Sequence, residues 1–374
     1  MSDNPQHRYW LGLHLLPKFG IVKLSRLLAH FESPEALWVE PDAAILRLSL
    51  PRKLLYSFCA ARQKIDLQRE LDKVAAAGAS LLSQDDAAYP ALLRQLDDRP
   101  LLLYVRGQVM DADEKCLGVV GTRKPSKRGW DAANELSQEL ARQGVTIVSG
   151  LAHGIDAAAH RGALAGGGRT IAVLGCGIDK IYPRENSEIA EEVIASGAIF
   201  SELPIGSPPL PTNFLQRNRI ISGLSHGVLV AEAPERSGAL NTAHHALAQG
   251  RDVFAVPHGY YSISGRGCNR LIQDGAQLVM DASDILDALD MTHLTAQTQR
   301  QAELIQPADT TESAILAQLD SDPSHVDEIV RETQLPASVV SGTLALMELK
   351  GLVETVGAMQ YCRARNTNLQ RSQR

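Results

Sequence analysis

The residues most able to do chemistry fall in short runs that each follow an apolar stretch. After Val120 comes Gly121-Thr122-Arg123-Lys124-Pro125-Ser126-Lys127-Arg128, with four cations in six residues. After Val148 comes Ser149-Gly150-Leu151-Ala152-His153-Gly154-Ile155-Asp156, and after Leu174 comes Gly175-Cys176-Gly177-Ile178-Asp179-Lys180-Ile181-Tyr182-Pro183, with Asn186 just beyond. Glycines at such turns let backbone N–H groups approach an anion, and a helix N-terminus adds partial positive charge. The run from Phe214 to Ser225 holds Arg217, Asn218, Arg219 and Ser222 and contains no acid. An arginine fork can give phosphate two parallel hydrogen bonds. Ser237-Gly238-Ala239-Leu240-Asn241-Thr242 offers a further cradle of amides and hydroxyls. Bases need flat faces as well as cations, and Tyr182 beside Lys180 and Phe214 beside Arg217 are the candidates for stacking. The plainer reading is that the glycines only permit tight turns and that one arginine pairs with Glu202 or Glu232 to hold the fold. Three glycine-spaced loops with cations beside two of them favour an anion site.

These loops need elements to hold them. Between about 79 and 292, short runs rich in Val, Ile and Leu alternate with helical stretches. The expected strands are Cys116–Val120, Val145–Ser149, Thr170–Leu174, Ala198–Ser201, Val228–Ala231, Asp252–Val256 and Gln277–Met280. Near-continuous apolar strands separated by helices indicate an α/β fold, a doubly wound, Rossmann-like, mostly parallel sheet covered on both faces. In such sheets ligands sit beyond the carboxyl ends of the strands, where these loops lie.

Residues 1–78 read as a helical (SAM-like) domain, with Leu24, Leu27, Leu28 and Phe31 at helical spacing and Ser33-Pro34 as a helix start. The stretch Leu16 to Ile21 is faintly like a helix-hairpin-helix, but Lys18 stands where its first glycine belongs, so a plain helical bundle is preferred. A polar linker is expected over 293–310. A winged-helix module over 311–363 follows, with helices at Ser313–Leu319, His325–Thr333 and Ala337–Leu349 and a strand pair around Leu352–Tyr361. A disordered tail is expected over 364–374.

At 374 residues the chain should hold two or three domains. No apolar run approaches the roughly 20 residues of a membrane helix, and the first residues do not read as a signal peptide. The five cysteines are scattered without a CxxC pair, which suits reduced thiols in a cytoplasmic protein rather than zinc or disulfides. No metal and no cofactor is expected. The net charge of −6 speaks against general attraction to nucleic acid, but a local basic patch can override it.

The runs SGLAHGID, GCGIDKIYPREN, FLQRNRIISGLS, SGALNTAHHALAQGRDVFAVPHG and GCNRLIQDGA resemble the successive motifs of the DNA-processing protein A family (DprA, also called Smf), in the family's order. With the helical domain before them and the winged helix after, the resemblance covers nearly the whole chain. It implies a homodimer that binds single-stranded DNA, engages the RecA recombinase and helps load it during natural transformation. It also implies that Arg123, Lys180 and the Arg217-Asn218-Arg219 run line the DNA pocket. One departure is His258, which stands where a glycine usually follows the proline.

Three other readings compete. The fold is also similar to the lysine-decarboxylase-like (LOG) nucleotide phosphoribohydrolases, whose glycine-rich motif carries a glutamate. N-glycosidic cleavage needs such a carboxylate, and His245 occupies its place here, which argues against an enzyme. An NAD-dependent dehydrogenase fails because no G-x-G-x-x-G follows the first strand. A sequence-specific regulator acting through the winged helix fails because that module is acidic, and Ala337–Leu349 offers no Arg, Asn or Gln to read base edges.

Overall fold

In the computed structural model the described residues are 4–291, 310–319, 323–349, 352–357 and 359–363. The chain divides into two compact units, Met1–Met291 and Thr292–Arg374. The expected linker, apart from Thr310, and the expected tail lie outside the described residues.

The first unit begins with six helices: α1 (His7–His14), α2 (Ile21–Leu28), α3 (Pro34–Val39), α4 (Asp42–Ile45), α5 (Arg52–Arg62) and α6 (Leu67–Ala76). Ser33 caps α3 by accepting from the Ala36 N–H at 3.1 Å, with Pro34 at the first helical position. Lys18 takes φ = 66°, so the left-handed step between α1 and α2 is kept without a glycine.

The α/β part follows as β1 (Ser80–Ser83), α7 (Ala91–Arg94), β2 (Leu102–Gly107), β3 (Cys116–Val120), α8 (Lys127–Arg142), β4 (Thr146–Ser149), α9 (Ile155–Ala165) and β5 (Thr170–Val173). It continues as α10 (Ser187–Ser196), β6 (Ala198–Ser201), α11 (Pro211–Gly223), β7 (Gly227–Val230), α12 (Gly238–Ala248), β8 (Asp252–Ala255), α13 (Arg266–Gln273), β9 (Gln277–Leu278) and α14 (Ala282–Ala288). The strand order is β1-β2-β6-β5-β4-β3-β7-β8-β9. From β6 to β9 every neighbouring pair is parallel, while β2 runs antiparallel to both β1 and β6. All seven expected strands are present, and β1 and β2 add an antiparallel edge beyond them.

Successive side chains on each strand enter different cores, as a period of two requires. Leu102, Tyr104, Ala172 and Ile199 pack with Trp10, Leu13, Leu24 and Phe58 of the N-terminal helices. Leu103, Val105, Val173 and Phe200 pack instead with Ile220, Ile221 and Ala243 of α11 and α12. The N-terminal helices therefore pack on the β1–β2 end of one face and share a core there with α9 and α10. The five cysteines are all free and buried. Among the described residues no helix is long and apolar enough to cross a membrane.

The winding reverses at β3. From β3 the chain moves to β4, β5 and β6 on one side, then crosses back through α11 to β7 and on to β8 and β9 on the other. Beyond the carboxyl ends of β3 and β7 lies the crevice that such a reversal opens.

The second unit is a winged helix: α15 (Thr310–Ala317), β10 (Ser324–His325), α16 (Val326–Thr333), α17 (Ala337–Leu349), β11 (Val353–Gly357) and β12 (Gln360–Arg363). Its sheet order is β10-β12-β11, over a core of Ile315, Leu319, Ile329, Val340, Leu344 and Leu352.

Candidate nucleic-acid interface

At that crevice the surface opens into a cleft of about 620 Å³. Its floor is Val120 and Gly121 at the end of β3. Its walls are the Thr122–Lys124 loop, the first turns of α11, and the loop from Pro234 to Ala239 after β7. The lining carries four cations, Arg123, Lys124, Arg217 and Arg236, against one carboxylate, Asp156. The α12 N-terminus, with Ser237, Gly238 and Ala239, also faces it and adds partial positive charge.

Phe214 sits at the centre of this lining. Its ring is 5.2 Å from the Arg123 guanidinium carbon, 5.9 Å from that of Arg217 and 5.7 Å from the Tyr182 ring, at 42° to it. Gly175 makes room for the ring, because a Cβ there would stand 2.5 Å from a Phe214 ring carbon. Tyr182 is 44% exposed and open to a flat ligand.

The cation loop is held firmly. Thr122 N–H donates to the Glu232 carbonyl at 2.7 Å, and the Ile155 N–H donates to the Thr122 carbonyl at 3.2 Å. The Ser126 N–H donates to the Glu232 carboxylate at 2.7 Å. Glu232 is fully buried and thus ties the loop after β3 to the end of β7. Arg123 and Lys124 remain exposed on this fixed turn.

Arg217 is different. It is only 6% exposed, and its Nη1 donates to the carbonyls of Gly150 (2.7 Å) and Val173. A Cβ at residue 150 would collide with its guanidinium, so Gly150 is needed for that approach. Nη2 makes no hydrogen bond among the described residues, and Nε is buried without a partner. Burial lowers the Arg217 pKa to about 10, with Asp156 opposing that shift, so the guanidinium stays charged at neutral pH. Burial likewise raises the Asp156 carboxyl, opposed by the Arg217 charge and by the Ala152 N–H, which donates to it at 3.3 Å.

Of the residues singled out from sequence, Gly121, Thr122, Arg123, Lys124, Tyr182, Phe214, Arg217, Asn218, Ser237 and Thr242 come together in this lining. Others do not. Arg219 points into a second cavity, where its Nη2 donates to both Glu202 oxygens at 2.7 and 2.6 Å and its Nε lies 3.6 Å from Asp98. It is the structural arginine, and Glu202 is its partner; Glu232 holds loops instead. Asn241 lines that second cavity too. Ser149 is buried and donates to the Val119 carbonyl at 2.6 Å, and Ser222 donates to the Asn218 and Arg219 carbonyls. Asn186 donates to the carbonyls of Leu151 and Ala152, bracing the loop after β4. Lys180 donates to the Gly206 carbonyl, Gly154 starts α9, and His153 lies on the rim 3.9 Å from Glu185. These residues build the loops and do not line the cleft.

Arg236 is a cleft residue that the sequence reading missed. Its signal in the sequence is a cation directly before the Ser237–Thr242 run.

The family described as DNA recombination-mediator protein A matches residues 80–290, and the DprA winged helix domain matches residues 299–359. Protein Smf of Synechocystis sp. is 35% identical over 96% of this chain and 99% of its own length. DNA processing protein DprA of Streptococcus pneumoniae is 43% identical over 54% of this chain and 71% of its own. The X-ray structure of DNA processing protein A from that organism superposes with a TM-score of 0.66 and 36% identity, covering 77% of this chain and 98% of that one. DNA processing protein A of Helicobacter pylori, solved to describe its single-stranded DNA binding mode, matches 57% of this chain and 97% of its own, with a TM-score of 0.51 and 29% identity.

Proposed function

Because the chain belongs to the DNA recombination-mediator protein A family, we propose that it binds single-stranded DNA, without regard to sequence, in the cleft outside β3 and β7. The observation that carries this reading is Phe214 between Arg123 and Arg217, beside an exposed Tyr182, in a cleft with four cations and one carboxylate. Arg123, Lys124 and Arg236 would track phosphates, the α12 N-terminus and Ser237 would add amide and hydroxyl donors, and Tyr182 would stack on a base. Arg217 would hold the cleft's shape and contribute its charge and its Nη2. The site is a binding site, not a catalytic one: His245, which takes the place of the glutamate in the hydrolase motif, lines the other cavity. The family's wider properties complete the proposal: a cytoplasmic homodimer that delivers the strand to the RecA recombinase during DNA uptake and recombination.

The test is a titration of labelled single-stranded and duplex DNA by fluorescence anisotropy at two salt concentrations. The single strand should bind more tightly, with log K falling at about 0.7 per phosphate neutralised for each unit of log salt. Equal affinity for the duplex, or no salt dependence, would refute the assignment.

A further inference from the structure

The loop between β8 and α13 holds two features that the cleft does not use. Tyr260 and Tyr261 stand at its tip 86% and 91% exposed, their rings 5.1 Å apart and edge-to-face, with Ile263 beside them at 72%. His258, the departure from glycine noted in the sequence, anchors the base of this loop. Its Nε2–H donates to the Ala231 carbonyl at 2.9 Å, and its backbone exchanges two 2.9 Å hydrogen bonds with the Asn269 side chain. Gly265 packs so closely on the imidazole that a Cβ there would collide with it. The Ser264 hydroxyl donates to Glu232. The two aromatic rings are thus held out in water by a pinned loop.

Glu232 also identifies what lies beside them. Its other oxygen holds Ser126, so one buried carboxylate joins the aromatic loop to the cation loop of the cleft. Both loops leave the same edge of the sheet, because β3, β7 and β8 are parallel neighbours, and two strand spacings place their origins about 10 Å apart. Around that junction Lys124, Lys127, Arg128 and Arg266 are all exposed, and none of them makes an ion pair among the described residues. Free cations beside paired exposed aromatic rings complement a chain that carries a phosphate and a flat base at every step.

We propose that Tyr260 and Tyr261 form a second stacking platform, which takes the bases of a single strand as it leaves the cleft past Lys124, Lys127 and Arg128. The inference rests on the reading of the cleft as a single-strand site. The platform acts only on strands long enough to reach it, and it acts through bases rather than phosphates.

The test compares the full-length protein with the double variants Tyr260→Ala/Tyr261→Ala and Tyr260→Phe/Tyr261→Phe. The probes are oligothymidylates of about 6 and about 20 nucleotides, the longer also made with a central abasic stretch. The alanine pair should weaken the long oligomer about tenfold, spare the short one and bind the abasic probe as the wild type does, while the phenylalanine pair keeps wild-type affinity. Unchanged binding of the long oligomer, or equal weakening of both lengths, overturns the platform and leaves the cleft standing. A loss that tracks a drop in molecular mass by light scattering also overturns it, because the tyrosines would then pack against a second copy of the chain. Failure of the wild type to bind either oligomer overturns the cleft reading itself.

Discussion

Helix α11 has two faces, and each carries an arginine with a different task. Phe214, Arg217, Asn218 and Ile221, spaced three, four and seven apart, line the cation-rich cleft. Gln216 and Arg219 line the second cavity, of about 680 Å³, with Glu202, Asp98, His14 and His245. Arg219 meets a carboxylate that takes both of its bonds, so its charge is spent within the fold. Arg217 meets neutral carbonyls, which satisfy one nitrogen and neutralise nothing. Its charge is balanced only by Asp156 at longer range and remains felt in the cleft. Two arginines two positions apart on one helix thus show that the partner across the gap decides whether a cation serves the fold or a ligand.

The largest effect should come from Arg217→Ala. It leaves Asp156 buried without its cation and two buried carbonyls without their donor, which costs about 3–5 kcal/mol and abolishes single-strand binding. Urea unfolding reads the stability, and Arg217→Lys, which keeps a charge, should fall between alanine and wild type. A wild-type midpoint in the alanine variant would break the contrast at its root. Arg219→Ala comes next: it strands a half-buried Glu202 at a cost of about 2 kcal/mol, with single-strand affinity unchanged. If Arg219→Ala weakened binding as much as a cleft variant does, the two faces would not be distinct. Arg123→Ala should do the reverse. Its unfolding midpoint stays at the wild-type value, its affinity falls about tenfold, and its salt slope loses about 0.7.

Much of this arrangement was legible in the residues. Apolar runs set against helical spacing revealed seven strands, and the rule for parallel sheets put the chemistry at their carboxyl ends. The edge pair β1 and β2 is not legible in this way, because only the short α7 joins the two strands and the strand–helix alternation that marks the others is lacking. The loops were located correctly, but the roles within them were not all readable. Local sequence shows that Ser149, Asn186 and Ser222 can hydrogen-bond, but not that Val119 of the neighbouring strand, Leu151 of the loop after β4 and Asn218 one turn back in α11 already accept from them. The same limit applied to the arginines. That one would pair with Glu202 or Glu232 was foreseeable, but which arginine and which acid depended on the side of α11 each occupied, and on Glu232 lying between two serines.

The last effect is read through pH and concerns a buried histidine that feels the Arg217 charge. His160 of α9 is fully buried, its Nδ1–H donating to the Thr170 hydroxyl at 2.7 Å while that hydroxyl donates to the Ile147 carbonyl at 2.8 Å. Its Nε2 has no partner among the described residues. Burial first, and the Arg217 charge second, push its pKa down to about 3. An unfolded histidine titrates near 6.5, so below that pH the unfolded chain takes up a proton that the folded chain refuses. Stability from this group is therefore intact above about 6.5 and declines by about 1.4 kcal/mol per unit as pH falls towards 3. His14, also lowered by burial, shifts stability in the same direction. Urea midpoints should fall between pH 7 and pH 5, and His160→Asn, which can still donate to Thr170, should flatten that fall. Because Arg217 contributes to the depression and Arg219 does not, Arg217→Lys should alter the pH slope only if the lysine charge sits elsewhere, while Arg219→Ala should leave it unchanged. A steeper or shallower slope in Arg219→Ala would mean that the two faces of the helix share one electrostatic environment after all.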